Sequence, residues 1–159
     1  MLFRLVIICL LIMSCSSLKN NINDVQLEKL GLIEIKSNET YISKLIETNI
    51  KNAFDIYKTK NSHEKRYTII IDVNDSIEGS LLANSIRKIE MSINYKIIEK
   101  NSNIVLLSDT FSRNSLVGPI SSLFSRDQSE LNARKRLGIS VSNDLIVRLI
   151  EWASFDLET

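Results

Sequence analysis

The spacing of hydrophobic and polar residues predicts two helices. Over residues 39–58, apolar side chains recur every three or four residues, while Lys44, Glu47 and Lys51 occupy the other side. That period is typical of a helix with one buried face, and Ser37 or Asn38 offers its N-cap. A second helix is predicted from a capping box at Ser125 and Gln128 to about residue 152. Its apolar arc comprises Leu131, Leu137, Val141, Leu145, Leu149 and Trp152.

Four other segments have the short apolar runs or the two-residue alternation of strands, namely residues 32–36, 66–75, 86–100 and 104–114. In the third, the predicted inward residues are Ile89, Met91, Ile93, Tyr95 and Ile97. A turn at residues 100–103 joins the third strand to the fourth. An odd, three-residue loop with a bulge sets Tyr95 beside Leu107 and Met91 beside Phe111. This pairing keeps the apolar groups on one face, so we predict the odd-length loop.

These elements predict an α+β fold: one mostly antiparallel four-stranded sheet with two helices packed on it, in the order β-α-β-β-β-α. A right-handed crossover through the first helix sets strands one and two parallel. The predicted folded domain covers residues 32–152, followed by a C-terminal tail at residues 153–159.

The N-terminus has the features of a lipoprotein signal peptide. Arg4 precedes the apolar residues 5–13, which are too few to span a bilayer. Ile12 and Ser14 then lie three residues and one residue before Cys15, as in a lipobox. We therefore predict a signal peptide at residues 1–14, lipidation of Cys15 and a flexible tether at residues 15–31. The alternative is an ordinary secretory signal with an incidental cysteine.

Localisation follows from the residue after the predicted lipidated cysteine. It is Ser16 and not Asp, so the usual inner-membrane retention signal is missing. We expect acyl chains to hold the protein in the inner leaflet of the outer membrane, on the periplasmic side.

Composition and motifs exclude several functional classes. The chain has 20 Lys and Arg against 19 Asp and Glu, and removal of Arg4 with the signal peptide leaves 19 of each. This balance does not suit a nucleic-acid-binding protein. The sequence contains no phosphate-binding glycine motif and no metal-spaced His/Cys set, and His63 lies in a polar loop at residues 59–65. We therefore expect no enzyme activity and no cofactor.

The order and spacing of these features resemble the LptE family of lipopolysaccharide-assembly lipoproteins, in its divergent alphaproteobacterial form. The resemblance covers residues 32–150 and rests on Asn52 to Phe54, Tyr67 to Val73, Tyr95 to Ile97, Ser112 to Asn114, Phe124 to Asp127 and Asn132 to Arg134. It implies a protein that plugs the outer-membrane β-barrel LptD and helps to deliver lipopolysaccharide to the outer leaflet. The alternatives are another periplasmic accessory lipoprotein, such as an auxiliary subunit of a lipid-transport system, or a peptidoglycan-synthase activator.

The sequence offers two candidate surfaces, one for contact with the barrel and one for contact with lipopolysaccharide. A second apolar stripe of helix two, formed by Ile139, Ile146 and Ile150, either extends the core or contacts the barrel. The loops at residues 76–85 and 115–124 are expected at one end of the sheet, with Arg87, Lys88, Arg113 and Arg126 around them. Cations beside apolar side chains suit lipopolysaccharide, because arginine can bind a phosphate through two hydrogen bonds. Alternatively, the apolar loop residues cover the sheet end and the arginines pair with Asp75, Glu78 or Asp127.

Overall fold

The computed structural model describes residues 29–57, 65–79, 86–119 and 122–155. The predictions for Cys15, for His63 and for the last four residues of the C-terminal tail lie outside these ranges. The first three residues of the predicted tail, 153–155, instead continue the last helix, and Ala153 is only 1% exposed. The elements are β1 (Ile33–Ser37), α1 (Tyr41–Asp55), β2 (Tyr67–Glu78), β3 (Arg87–Glu99), β4 (Val105–Val117) and α2 (Leu123–Phe155). This order confirms the predicted α+β fold.

The folded domain begins earlier than predicted. Residues 29–31 are helical, and the side chain of Leu30 is only 1% exposed. Leu30 belongs to the hydrophobic core together with residues of both helices and the sheet. The last residues of the predicted tether are therefore part of the domain.

The sheet has the strand order β1-β2-β3-β4. As predicted, β1 runs parallel to β2, and the other two pairings are antiparallel. The α1 helix packs on β1 and β2, the α2 helix packs on β3 and β4, and the two helices contact each other. Both helices therefore lie side by side over one face of the sheet, and we call the other face the open face.

The two faces follow from alternation along the strands. All five predicted inward residues of β3 are buried, and so are Tyr67, Ile69, Ile71 and Val73 of β2. The residues between them point to the open face and are mostly polar. Burying aliphatic side chains of this size stabilises the fold by roughly 1.5–3 kcal/mol each.

The β3–β4 hairpin corrects the predicted loop and register. The N–H of Glu99 donates to the carbonyl oxygen of Ile104 at 3.0 Å and closes a loop of four residues, in which Asn103 has a positive φ of 56°. A register shift follows, because Ile98 pairs with Val105 whereas Ile97 pairs with Leu107. Tyr95 therefore lies opposite Asp109, and Met91 opposite Arg113, two residues from the predicted partners. The extra residue of the bulge restores the predicted parity, which keeps Leu107 and Phe111 on the helix side.

Both helices begin at caps other than those predicted. Ser37 and Asn38 do not cap α1; the N-cap is Thr40, whose hydroxyl accepts from the N–H of Ser43 at 3.2 Å. The α2 helix begins at Leu123, and the hydroxyl of Ser122 accepts from the N–H of Ser125 at 3.5 Å. The predicted capping box is therefore inside the helix. Ser, Thr and Asn are all favoured at an N-cap, so the residue type alone does not show which of these neighbours caps the helix.

A close contact joins the two helices at Gly138 of α2. A Cβ atom at this position would lie 3.3 Å from Ile42 Cγ2 and 3.5 Å from Leu45 Cδ2. One turn further on, Asn49 Nδ2 donates to Ser142 Oγ at 3.2 Å, and that hydroxyl donates to the carbonyl oxygen of Ile139 at 2.8 Å. The small residue allows the approach, and the polar pair satisfies its groups inside the interface.

Glu47 is buried, although the sequence pattern placed it on the polar side of α1. Its carboxylate accepts from Ser37 Oγ at 2.6 Å and from Lys44 Nζ at 3.1 Å, and it also pairs with Lys51. Burial alone would raise the pKa of Glu47, but these three hydrogen bonds lower it to about 2. The carboxylate thus links α1 to the end of β1.

We predict that Glu47→Gln destabilises the domain in a pH-dependent manner. The ordinary pKa of 4.5 falls to about 2 on folding, so the stabilisation is complete above pH 4.5 and is lost as the pH falls towards 2. At pH 7 the variant should lose roughly 1–3 kcal/mol of unfolding free energy, because the lysine partners are half exposed and partly screened.

Chemical denaturation at several pH values measures this difference. The exposed Glu39→Gln variant is the control and should show no such pH dependence. A stability gap for Glu47→Gln that persists unchanged at pH 2 would contradict the proposed role of the carboxylate.

Candidate functional site

The predicted meeting of two loops at one end of the sheet is confirmed where the structure describes them. Glu78, at the end of β2, pairs with Lys88 at the start of β3, and Lys88 pairs with Leu116 near the end of β4. Of the predicted loop residues, 76–78 continue β2 and 115–117 continue β4 as strand, while 123–124 begin α2. Two of the candidate lipopolysaccharide contacts, Arg87 and Lys88, lie at this sheet end.

Arg87 faces the helix side at this end. Its Nη1 atom forms an ion pair with Glu130 of α2, and the two side chains are only 12% and 9% exposed. The end of β2 approaches the start of β3 closely, because a Cβ atom on Gly79 would lie 2.9 Å from the carbonyl oxygen of Ile86. Arg87 is therefore part of the packing between sheet and helix, and its partner is not one of the predicted acids.

Lys88 points to the opposite face, because neighbouring residues of a strand alternate. Its Nζ atom lies 2.8 Å from Glu90 and 3.6 Å from Glu78. The hydrogen bond to Glu90, with the attraction of both carboxylates, raises the pKa of Lys88. Lys88 therefore belongs to the open face and not to the surface that contains Arg87.

The other two candidate cations lie apart from this pair. Arg113, in the middle of β4, forms a two-pronged ion pair with Asp144 of α2, with nitrogen–oxygen distances of 2.6 and 3.1 Å. Arg126 is half-buried in the first turns of α2. The four cations are thus distributed over both faces of the sheet and three elements, β3, β4 and α2, and their role as lipopolysaccharide contacts stays a prediction.

A groove is nevertheless present at the sheet end, between the end of β4 and α2. Its volume is about 300 Å³, and we call it the end groove. It is lined by Leu116, Val117, Gly118, Pro119, Ser129, Asn132 and Arg136. Leu116 is 67% exposed, and Leu123 and Phe124 at the start of α2 are 69% and 73% exposed.

Arg136 was not among the predicted site residues. In sequence it is one of several cations on a polar helix surface, and only the position of α2 over the sheet brings it beside Leu116. The described end groove therefore combines one cation with exposed apolar side chains.

The second stripe of α2 divides into two environments. Ile146 and Ile150 are partly buried and pack against the core, whereas Ile139 is 46% exposed. Ile146 and Ile150 thus extend the core, as one of the two interpretations predicted. Contact of the stripe with a barrel partner stays a prediction, and Ile139 is its most accessible member.

No protein-family model and no curated protein matches this sequence. Among solved structures, a candidate lipoprotein of Caulobacter crescentus has a TM-score of 0.64 at 12% identity, over 84% of this chain and 100% of that chain. A minor lipoprotein of Acinetobacter baumannii has a TM-score of 0.57 at 10% identity, over 75% of this chain and 90% of that chain. Rare lipoprotein B of Shewanella oneidensis has a TM-score of 0.52 at 12% identity, over 80% of this chain and 98% of that chain.

The chain has the fold of these bacterial lipoproteins. At such identities the likeness concerns the fold alone, so function has to be argued from the surfaces. In the described part of the chain, neither helix is both long and apolar enough to cross a membrane. The same part contains no group of three or more His, Cys, Asp and Glu side chains arranged to hold a metal ion.

We predict that Arg87 is needed for folding rather than for ligand contact. Arg87→Met leaves the carboxylate of Glu130 buried without its partner and should cost about 3–5 kcal/mol of unfolding free energy. The double variant Arg87→Met with Glu130→Met should recover most of this loss. Arg113→Met is the matched control at a more exposed pair, and it should cost about 0–1 kcal/mol.

Thermal and chemical unfolding of the four proteins provide the measurement. Equal small losses for Arg87→Met and Arg113→Met would show that the Arg87 pair is solvated, and Arg87 would again be available to a ligand.

Proposed function

We propose that this chain is an outer-membrane lipoprotein, anchored through Cys15 and facing the periplasm, that acts as the plug and assembly partner of an LptD-type barrel in lipopolysaccharide transport. One observation carries the proposal: a lipobox ending at Cys15 precedes a domain whose fold is shared with bacterial lipoproteins. Three acyl chains on Cys15 exceed the two-chain requirement for stable anchoring.

The open face of the sheet supports the role of a plug. Along β3 and β4 it presents Ser92, Asn94, Lys96, Ser108, Thr110 and Ser112. Thr110 Oγ1 donates to Asn94 Oδ1 at 2.7 Å, so neighbouring strands share hydrogen bonds across this face. The interior of an outer-membrane barrel is polar and hydrated, and a polar sheet face suits such surroundings.

The end groove supports a contact with lipopolysaccharide. Leu116 in the groove offers apolar surface to acyl chains, and Arg136 offers a guanidinium to a phosphate. Leu123 and Phe124 do not line the groove but add exposed apolar side chains at the start of α2. A guanidinium binds phosphate through two parallel hydrogen bonds, and apolar surface beside it provides the hydrophobic part of the interaction. These residues take the place of Arg87 as proposed lipopolysaccharide contacts, because Arg87 forms an ion pair with Glu130.

Two other functions from the sequence analysis remain alternatives. An auxiliary subunit of a lipid-transport system would share the anchor and the end groove but would associate with an inner-membrane transporter. A peptidoglycan-synthase activator would associate with a murein synthase. The partner that is recovered from membranes therefore distinguishes the three.

We predict that the tagged full-length chain, solubilised from outer membranes in mild detergent, recovers an LptD-type barrel. Cys15→Ser should abolish palmitate labelling and leave a precursor that no longer fractionates with outer membranes, because acylation and cleavage both require this thiol. Barrel recovery should fall with it. Mass spectrometry of the eluate and palmitate labelling are the measurements.

Recovery of an inner-membrane transporter or a murein synthase in place of the barrel would favour the corresponding alternative. If Cys15→Ser is still labelled and processed, the lipobox interpretation is wrong, whatever the partner.

We also predict that Arg136→Glu combined with Phe124→Ser lowers the binding of purified lipopolysaccharide several-fold. Both side chains are exposed, so circular dichroism and melting temperature should change little. The matched control is Lys96→Glu with Ile70→Ser, which makes the same kinds of change at paired positions of the open face. Equal binding by both double variants and the parent would place the lipid contact elsewhere.

A further inference from the structure

The outer edge of β4 is a long strand edge without a partner strand among the described residues. The β4 strand is 13 residues long and pairs with β3 on one side only. The opposite edge strand, β1, has 5 residues. An edge strand exposes a row of backbone N–H and carbonyl groups that a second strand can use.

Proteins usually protect such edges with proline, lysine or bulges, or by keeping the strand short. Residues 105–117 contain no proline and no lysine. The single register irregularity of β4 lies at its hairpin end, between the partners of Ile97 and Ile98. The central and C-terminal parts of β4 are therefore regular, and the two charged residues there, Asp109 and Arg113, are each paired with a residue of α2.

One hydrogen bond indicates which backbone groups face outward. The N–H of Thr110 donates to Asp109 Oδ1, a side-chain atom of the neighbouring residue, at 2.7 Å. This N–H is thus directed away from β3. Because the direction alternates along a strand, the N–H groups of Ser108, Ser112 and Asn114 are expected to share it.

We infer that the edge of β4 pairs with β4 of a second copy of this chain, antiparallel and about a two-fold axis at Phe111. In this register Asp109 of each copy lies directly opposite Arg113 of the other, because the two residues are equally distant from Phe111. The two-fold axis is perpendicular to the sheet, so it keeps the helices of both copies on one side and forms an isologous interface. The two four-stranded sheets then become one sheet of eight strands.

In the proposed dimer, the ion pairs of the two copies join into one network across the β4–β4 junction, and each charge in the network has a partner. Arg113 already pairs with Asp144 at 2.6 Å, and Asp109 already pairs with Arg148 at 2.7 Å. With a second copy, acidic and basic groups alternate through Asp144, Arg113, Asp109 of the second copy and Arg148 of the second copy. Opposite charges on directly facing strand positions stabilise a sheet by roughly 0.2–1 kcal/mol per pair.

Neighbouring registers lack this match. Moving the axis to Ser112 places Asp109 opposite Ser115, and moving it to Thr110 places Arg113 opposite Leu107. The neighbouring pair at the Phe111 register is also compatible, since Thr110 lies opposite Ser112, and Leu116 comes near Leu106 at the bulged end of the second copy. Charge and apolar pairing therefore select the same axis.

Cysteine cross-linking of the full-length lipoprotein in membranes tests this register. Thr110 lies opposite Ser112 of the second copy, at a Cα separation of about 4.5–5.5 Å that a disulfide can bridge. Two differently tagged chains, Thr110→Cys and Ser112→Cys, are expressed together and oxidised. Both positions are exposed on the open face, so the variants should fold normally.

The mixed pair should give a disulfide-linked dimer carrying both tags, several-fold above either variant alone. Each single variant reports a neighbouring register, since Thr110→Cys alone requires the axis at Thr110 and Ser112→Cys alone requires it at Ser112. The parent chain, with Cys9 and Cys15 only, gives the background.

A blocking variant provides a second measurement. Ser112→Pro removes an outward N–H but not the bonds to β3, as proline is tolerated on the solvent side of an edge strand. In this background the pair Ser108→Cys and Asn114→Cys, also opposed in the proposed register, should lose its cross-link. Ser112→Ala in the same background should keep it.

Three outcomes would overturn the inference. They are a mixed-pair yield no higher than background, a higher yield from either single variant, and a disulfide to a different protein in place of the second copy.

Discussion

The domain buries one face of its sheet and exposes the other, and this asymmetry decides which side chains can act on anything outside the fold. Helix-facing positions in the middle of β2 and β3 are apolar, while the open face is mostly polar, with serine, asparagine and lysine along β3. The bulge near the hairpin preserves the division, because one extra residue after Val105 returns Leu107 and Phe111 to the helix side. Without it, the apolar residues of β4 would point to the open face.

Ion pairs between α2 and the strands fix how this helix lies on the sheet. Apolar packing tolerates small rotations of a helix, whereas charged partners require particular positions. Four pairs connect α2 to three strands: Arg87 with Glu130, Asp75 with Arg134, Arg113 with Asp144 and Asp109 with Arg148. Arg148 also lies 4.6 Å from the ring centroid of Phe111, which ties the aromatic ring to the same contact. Of the four, only the Arg87 pair is buried, so it contributes most to stability, while the three more exposed pairs mainly favour one orientation of the helix.

Sequence reasoning predicted the element order, the parallel first pair and the inward residues of β3, because each depends on local periodicity. It failed where a choice depends on three-dimensional position. Thr40 and Ser122 cap the helices although nearby serines suited the role equally well. The acid that pairs with Arg87 is Glu130, which lies beyond the first turn of α2 and faces β3 only because of how the helix packs on the sheet. The end groove likewise arises only when α2 brings Arg136 beside Leu116.

The end groove and the edge of β4 share a residue, and this connects lipid binding with strand pairing. Leu116 lines the groove and lies near the end of β4. In a pair of chains related by an axis at Phe111, it meets Leu106 of the other copy, where Ile104 and Val105 are also exposed. Each groove would then gain apolar surface from the hairpin of the second copy. Acyl chains in the groove would then contact apolar side chains of both copies, so lipid binding and strand pairing would stabilise each other.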